Sequence, residues 1–257
     1  MPMTKSLSRR QALTGVLAAP AATAIMAGSA SAASDTPAAA EQPHGQCVLL
    51  PQSVEGPFYF DPKLVRSDIS EGRPGAPLRL SLRVIEAGPC TPIANARVDV
   101  WHADATGIYS GYSGQGASRE ISTKGQTYLR GTQMTDADGR VSFNTVYPGW
   151  YPGRTPHIHV KVFLNETSLV IGQIYFPDDF SARIYSTREP YNARAVPDTT
   201  NATDWIYGDG QREGGGTVLA MSEDGDTIVA GLLIGVDKSG EAAAKAGRGF
   251  FRRLLGL

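Results

Sequence analysis

The segment HIHVKVFL, residues 157–164, alternates apolar and polar side chains as a β-strand with one buried face does. Side chains two residues apart lie on the same side of a strand, so Ile158 and Val160 share one face, and His157 and His159 share the other. The apolar face has to pack against a second layer to leave water. The segment therefore predicts a strand of a layered sheet, with two imidazoles together on its opposite side.

Six further segments show the same period or a short apolar run. They are LRLSLRVIEA (78–87), ARVDVWHA (96–103), GRVSFNTV (139–146), LVIGQIYF (169–176), TVLAMSE (217–223) and TIVAGLLIGV (227–236). Turn sequences such as GPCTP, PGWYPG and SEDGD separate them. TDADGR (135–140) resembles a fragment of a calcium loop, but it lacks the remaining ligand positions, so we expect a β-turn there. Since no long amphipathic helix is evident between these segments, the predicted fold is an all-β sandwich.

The first part of the chain, residues 1–32, has the features of a twin-arginine signal peptide. Arg9 and Arg10 precede an Ala-rich apolar stretch that ends in an A-x-A cleavage signal at Ala30 and Ala32. This stretch is too short and too rich in Ala, Gly and Thr to favour a transmembrane anchor, so no stable membrane span is expected. We predict export to the periplasm or the extracellular space, by a pathway that carries folded proteins and therefore suits a metal bound beforehand.

Composition divides the rest of the chain into four parts. Residues 33–46 are rich in Ala, Pro and Gln and predict a disordered linker. Residues 47–77 are crowded with Pro and Gly and predict an irregular N-terminal arm laid over a scaffold. Residues 78–237 hold the strand segments and predict the sandwich domain. Residues 238–257 form a tail whose basic, amphipathic end either frays, docks on the sandwich or binds a membrane surface.

The charge balance and the cysteines narrow the class of protein. Lys plus Arg number 24 and Asp plus Glu number 25, so a nucleic-acid partner is not indicated. The chain has two cysteines, Cys47 and Cys90. An even number in an exported protein favours one disulfide, which would tether the arm to the first turn of the core. The alternative, two free thiols as soft metal ligands, is less favoured because neither cysteine lies near another ligand type in the sequence.

The histidine pair lies close to residues that are able to complete a metal site. Tyr151 and Arg154 lie in the turn before the histidine strand, and Tyr109 lies in the loop after the strand that ends at Trp101. Two phenols and two imidazoles with few carboxylates nearby differ from the ligands of zinc sites and of ferrous oxygenases. Because a free phenol has a pKa of about 10, ionising it at neutral pH requires a strongly Lewis-acidic ion. Ferric iron fits this requirement.

At these residues the chain resembles the intradiol ring-cleavage dioxygenases, a family of non-haem Fe(III) enzymes that includes protocatechuate 3,4-dioxygenase and catechol 1,2-dioxygenase. The resemblance lies in W-x-x-x-x-x-G-x-Y (residues 101–109), in P-G-x-Y ending at Tyr151, and in R-x-x-H-x-H (residues 154–159). The segment GQIYF places Gln173 at the position of an active-site glutamine. The resemblance spans roughly residues 48–236 and is greatest to exported, single-chain members. The resemblance does not extend to the N-terminal helical dimerisation region of the catechol enzymes, for which we expect no counterpart here.

The resemblance implies a prealbumin-like sandwich as the catalytic domain, an Fe(III) cofactor, and a catechol and O2 as substrates. The implied metal ligands are Tyr109, Tyr151, His157 and His159. The ring would open between its two hydroxyl carbons and give a cis,cis-muconate-type diacid. Arg154 would stabilise negative charge on the ring, and Gln173 would hydrogen-bond near the iron. The preferred catechol and the oligomeric state, a homo-oligomer included, stay open.

Two other classes of protein are compatible with parts of the sequence. A non-catalytic, prealbumin-like sandwich that binds a ligand or a cell-wall polymer would need neither Tyr109 nor Tyr151 nor the histidine pair. A zinc hydrolase would use His157 and His159, but the sequence offers it no obvious carboxylate ligand or base. Metal content and colour discriminate among the three, because Fe(III)–tyrosinate absorbs visible light.

Overall fold

The computed structural model describes residues 47–246, and eight strands lie within this range. They are β1 (Pro77–Glu86), β2 (Arg97–Trp101), β3 (Arg130–Met134), β4 (Arg140–Val146), β5 (His157–Leu164), β6 (Thr167–Tyr175), β7 (Ala220–Asp224) and β8 (Thr227–Val236). The strands form two four-stranded sheets, ordered β4-β1-β8-β7 and β3-β2-β5-β6. Neighbouring strands are antiparallel except β1 and β8, which are parallel. The predicted β-sandwich is confirmed.

The two sheets share one hydrophobic core, built from the alternating residues of their strands. Leu80 and Val84 of β1 and Ile158 and Val160 of β5 are fully buried in the same cluster. Each side chain of this size contributes about 1.5–3 kcal/mol when it leaves water. The alternation read from the sequence therefore assigns the inner faces of both sheets correctly.

The outer face of the second sheet is also buried, and it carries the polar residues. His159 of β5 lies opposite Trp101 of β2 and opposite Gln173 of β6, and Trp101 lies opposite Arg130 of β3. All four side chains are buried. Since a sandwich buries only its inner faces by itself, other parts of the chain have to cover this outer face.

The N-terminal arm provides much of that cover. The backbone N–H of Ser53 donates to the carbonyl of Ile171 on β6 at 2.7 Å, and the N–H of Arg66 donates to the carbonyl of Thr132 on β3 at 3.0 Å. Because β6 and β3 are the two edges of the sheet, the arm crosses its whole width. The arm is thus an irregular layer over the sandwich, as its Pro and Gly content predicts.

Three regular elements were missed by the sequence reasoning: the strand β3 and the helices α1 (Asp178–Thr187) and α2 (Trp205–Arg212). A short 3-10 turn at Tyr191–Ala193 follows α1, and residues 241–246 are also helical. The sequence of β3, RGTQM, has no apolar alternation, and α2 contains two glycines and one buried residue, Ile206. At TDADGR the N–H of Gly139 donates to the carbonyl of Asp136 at 3.0 Å, so the expected β-turn is confirmed.

Some expectations fall outside the described residues. The predicted signal peptide and linker, residues 1–46, and the tail from residue 247 onward are among them. Between residues 47 and 246, no helix has both the length and the apolar character needed to cross a bilayer.

The disulfide predicted between Cys47 and Cys90 is present and joins residues 43 positions apart. It connects the start of the arm to the turn after β1, where the N–H of Gly88 also donates to the carbonyl of Cys47 at 3.1 Å. The arm that covers the outer face of the second sheet is therefore fixed covalently at its beginning.

Removing this disulfide should lower the free energy of unfolding by about 3 kcal/mol, because the unfolded chain regains the freedom of a long closed loop. Urea unfolding of a Cys47→Ser/Cys90→Ser variant measures the effect. A reductant should destabilise the wild-type protein and leave the variant unaffected. Free thiols in the oxidised wild-type protein, or equal stability of the two proteins, would contradict the prediction.

Candidate metal centre

His157 and His159 lie side by side at the start of β5, on its outer face. Their ring centroids are 4.9 Å apart, and each residue is 3% exposed. Nδ1 of His157 lies 2.7 Å from the carbonyl oxygen of Thr155. Because a carbonyl only accepts hydrogen bonds, Nδ1 carries the proton, and Nε2 keeps a free lone pair. That is the tautomer in which Nε2 binds a metal ion.

Tyr109 reaches the histidines from the loop that follows β2. The carboxylate of Asp104 accepts a hydrogen bond from the N–H of Ile108 at 3.1 Å, which folds the loop back on itself. Gly107 has a φ of 84°, and a Cβ atom there would collide with the carbonyl oxygen of Trp150. A glycine is therefore required for this loop to pack against the turn before β5.

Tyr151 and Arg154 project from that turn. The N–H of Arg154 donates to the carbonyl of Tyr151 at 3.0 Å, and Gly153 between them has a φ of 80°. The N–H of Gly153 donates to the carboxylate of Asp198 at 3.1 Å. The turn thus folds both side chains back over β5, as their closeness to the histidines in sequence suggested.

The four side chains expected to bind metal surround one small volume. The hydroxyl oxygen of Tyr151 lies 3.1 Å from Nε2 of His157, and that of Tyr109 lies 3.4 Å from the same atom. The ring centroids of Tyr109 and Tyr151 are 5.7 Å apart, and those of Tyr109 and His159 are 6.1 Å apart. Two phenol oxygens and a lone pair of an imidazole therefore face one another in a buried site.

Burial controls the protonation of this cluster. Loss of solvent lowers the pKa of His157 well below its ordinary value, and the nearby charge of Arg154 lowers it further. Burial also raises the pKa of Tyr109 well above its ordinary value and raises the pKa of Tyr151. The imidazole is accordingly neutral, the form that coordinates metals, and the phenols ionise only beside a strong cation.

The donor set fits a hard, highly charged metal ion. Within residues 47–246 no group of three or more His, Cys, Asp or Glu side chains is placed to hold a metal, so the phenol oxygens of Tyr109 and Tyr151 would have to complete the site. Nδ1 of His159 is buried and has no hydrogen-bond partner among the described residues. Phenolate oxygens and neutral imidazoles are the ligands that ferric iron accepts, whereas the usual thiolate and carboxylate ligands of zinc are missing from this cluster.

Arg154 and Gln173 lie against the cluster and contact each other. The guanidinium of Arg154 donates to the side-chain oxygen of Gln173, and its Nη1 lies 3.5 Å from the hydroxyl oxygen of Tyr151. The hydroxyl of Tyr175 also donates to the oxygen of Gln173, at 3.2 Å. The amide nitrogen of Gln173 donates to the carbonyl of Val54 in the arm at 3.3 Å. Both residues that the resemblance singled out are therefore part of one buried network.

Asp204 fixes the position of Arg154, and the sequence reasoning did not find it. Its carboxylate, which is 0% exposed, accepts hydrogen bonds from Nε of Arg154 at 2.8 Å and from the N–H of Thr155 at 3.0 Å. The same carboxylate caps α2 by accepting from the N–H of Ile206 at 2.9 Å and of Tyr207 at 3.1 Å. An Asp before a helix is a recognisable cap signal, but its pairing with a residue 50 positions away has no local signal.

Aromatic rings enclose the cluster on two sides. The indole of Trp101 stacks on His159 with centroids 4.7 Å apart, and Phe58 of the arm stacks on Tyr109 at 4.6 Å. Tyr112, which lies beyond the first loop tyrosine, instead donates its hydroxyl to the carbonyl of Tyr59 at 2.8 Å. The arm thus forms one wall of the site.

Comparison with known proteins identifies the family of this chain. The family model described as Dioxygenase matches residues 54–187, just over half of the chain. An intradiol ring-cleavage dioxygenase from Tetranychus urticae has a similar structure, with a TM-score of 0.66 and 33% identity, covering 74% of this chain and 95% of that one. The chain belongs to the intradiol ring-cleavage dioxygenase family.

The matches to two curated relatives cover a smaller part of each relative's length. The protocatechuate 3,4-dioxygenase beta chain of Burkholderia cepacia is 35% identical over 134 residues, which are 48% of this chain and 54% of that one. Catechol 1,2-dioxygenase 1 of Acinetobacter lwoffii is 27% identical over 204 residues, 68% of this chain and 57% of that one. The chain thus spans little more than half the length of these relatives. The family depends on iron.

Proposed function

We propose that this protein is a non-haem Fe(III) dioxygenase that cleaves a catechol between its two hydroxyl carbons. The observation that carries the proposal is the meeting of two phenol oxygens at Nε2 of His157, with His159 beside them. The names of the relatives, protocatechuate 3,4-dioxygenase and catechol 1,2-dioxygenase, support a catechol as the substrate class. The reaction combines one catechol with one O2 and gives one cis,cis-muconate-type diacid.

The four ligand residues have different tasks in this proposal. Ferric iron, when bound, would activate a chelated catechol for attack by O2. Tyr109, His157 and His159 would hold the metal throughout, because strand β5 and the packed loop after β2 fix their positions. Tyr151 would be the fourth ligand; it lies on a short turn, and its phenol oxygen could hold a proton when the substrate binds.

Arg154 and Gln173 would act on the substrate ring. The guanidinium is charged, largely buried and held by Asp204, so it is oriented before the substrate arrives. A fixed cation of this kind stabilises negative charge that develops on the ring during the reaction. Gln173 holds the guanidinium from the other side and links it to the arm.

Product analysis tests the proposal. Iron-loaded protein is incubated with catechol under 18O2, and the proposal expects a ring-opened diacid that contains both labelled oxygen atoms. Tyr109→Phe should remove the activity. Tyr112→Phe, which deletes a phenol three residues away and outside the cluster, should retain it. Aldehyde products of cleavage beside the hydroxyl carbons, or no oxygen uptake by iron-loaded protein, would contradict the proposal.

Asp204→Asn should lower kcat/KM roughly ten- to a hundredfold. The side-chain amide nitrogen would face the N–H donors of Arg154 and Thr155, so it would no longer hold Arg154 in position. The resting spectrum should stay unchanged, since Asp204 touches none of the four ligands. In an Arg154→Ala background the substitution should have little further effect on kcat/KM, because the two residues would act through one contact. Asp198→Asn is the matched control, because the carboxylate of Asp198 binds the same turn through the N–H of Gly153 and not through Arg154. Additive losses would show that Asp204 does not act through Arg154.

The other two interpretations lead to different metal contents. A non-catalytic sandwich would not need the buried phenols, and a zinc hydrolase would need a carboxylate that the cluster does not contain.

Export through the twin-arginine signal in residues 1–32 is part of the proposal. Fractionation of the native host, with the mature N-terminus determined by mass spectrometry, tests it.

A further inference from the structure

A cavity of about 1010 Å³ lies between the arm, the outer face of β6 and helix α2. Its lining includes Val54 and Gly56 of the arm, Ile171 of β6, and Trp205 and Ile206 of α2. A dry cavity of about 150 Å³ is large enough to bind benzene, and sites for drug-sized ligands have volumes of about 300–1,000 Å³. The cavity is therefore several times larger than a single catechol ring requires.

The arm side of the cavity adjoins the candidate metal centre. Gly56 lines the cavity, and a Cβ atom at this position would lie 3.4 Å from Cε1 of His159. Val54 also lines it, and its carbonyl accepts the hydrogen bond from Gln173. Val54 is thus in direct contact with Gln173, and Gly56 lies close to His159.

The opposite side adjoins the residues that hold Arg154. Ile171 is two residues from Gln173 on the same outer face of β6. Trp205 and Ile206 directly follow Asp204, whose carboxylate binds Arg154. Trp205 is 63% exposed despite its size. The cavity therefore lies beside the candidate metal centre and reaches an exposed indole.

The walls are partly apolar and disfavour an anionic occupant. Val54, Ile171, Ile206 and the indole of Trp205 provide apolar surface. The charged residues that line the cavity between positions 47 and 246 are all acidic, namely Glu55, Asp209 and Glu213. A carboxylate in the cavity would lose its water without gaining a cation, which is unfavourable.

We propose that the substrates are catechols with a bulky, uncharged aryl substituent, and that the cavity holds this substituent while the two ring hydroxyls face Tyr109, Tyr151, His157 and His159. The inference rests on the proposed dioxygenase function and specifies its substrate class. It expects kcat/KM to be higher for 4-phenylcatechol than for catechol, and lowest for protocatechuate, whose carboxylate would have no cation in the cavity.

Filling the cavity tests the inference. Ala243 lines it, whereas the neighbouring Ala242 lines a separate, smaller cavity, so Ala243→Trp and Ala242→Trp form a matched pair. Ala243→Trp should lower the ratio of kcat/KM for 4-phenylcatechol to that for catechol about tenfold or more, the size of effect that apolar pocket contacts give. Ala242→Trp should leave the ratio as in the wild type. An unchanged ratio in Ala243→Trp would overturn the inference while leaving the dioxygenase function intact.

A binding measurement without iron separates the two proposals. Titrating metal-free protein with 4-phenylcatechol should quench the fluorescence of Trp205, and the signal should disappear in Trp205→Phe and weaken in Ala243→Trp. If iron-loaded protein cleaves no catechol but this binding is observed, the dioxygenase function fails and the cavity still binds the aryl group. If catechol is cleaved and no quenching occurs, the cavity assignment is wrong.

Discussion

Replacing His157 with alanine should yield a folded protein that no longer retains iron. His157 contributes the Nε2 atom on which both phenol oxygens converge, at 3.1 and 3.4 Å. Changes to residues that merely support a ligand cost about 10–100-fold in metal affinity, so loss of a ligand should cost more. We expect ring cleavage to fall below detection and the visible absorption band to disappear. Metal analysis after ferric reconstitution and desalting measures the effect.

His102 provides the matched control, because it is an equally buried histidine outside the cluster. Its ring nitrogens contact the carbonyl of Ala103 and the hydroxyl of Thr145, each at 2.8 Å. His102→Gln should lower stability while the folded protein still binds iron. Iron retained in His157→Ala at the wild-type level, or lost to the same degree in both variants, would disprove the ligand role of His157.

Replacing Arg154 with alanine should lower kcat about a hundredfold while leaving the iron and its resting spectrum largely intact. One fixed charge that acts on a transition state contributes about 3 kcal/mol. The variant should fold, because the carboxylate of Asp204 keeps three backbone donors, the N–H groups of Thr155, Ile206 and Tyr207. Thermal unfolding and metal analysis of the variant separate a loss of activity from a loss of structure.

Tyr151→Phe and Arg154→Lys complete this experiment. Tyr151→Phe should shift or weaken the visible band and slow substrate binding, because the proposal makes its phenol both a metal ligand and a proton acceptor for the substrate. Arg154→Lys should recover little activity, since a single ammonium cannot reach Asp204 and Gln173 as a planar guanidinium does. Near-normal turnover in Arg154→Ala, or loss of its iron, would show that Arg154 does not have the assigned role.

The sequence was most informative where a local period determines the structure. Alternation in residues 157–164 fixed both the buried face of β5 and the shared side of His157 and His159. The closeness of Tyr151 and Arg154 to that strand predicted that both side chains fold back over it. Tyr109 became a candidate only in combination with Tyr151 and the two histidines, because nothing local in its loop distinguishes a ligand from a structural tyrosine.

The parts that the sequence did not reveal depend on contacts between distant segments. Arg154 and Asp204 are 50 positions apart, and Val54 meets Gln173 across 119 positions. The strand β3 shows no alternation because its inner-face positions, opposite Val100 and Val98 of β2, are Gly131 and Gln133. The cavity beside α2 arises only when the arm, β6 and the helix come together.

The most direct test of the central claim, that two tyrosines and two histidines hold a ferric ion, is metal analysis of purified protein together with its visible and resonance Raman spectra. We predict about one iron per chain, a reddish protein, and tyrosinate vibrations enhanced in the charge-transfer band that weaken separately in Tyr109→Phe and Tyr151→Phe. Stoichiometric zinc in a colourless protein that stays inactive after ferric reconstitution would contradict the claim.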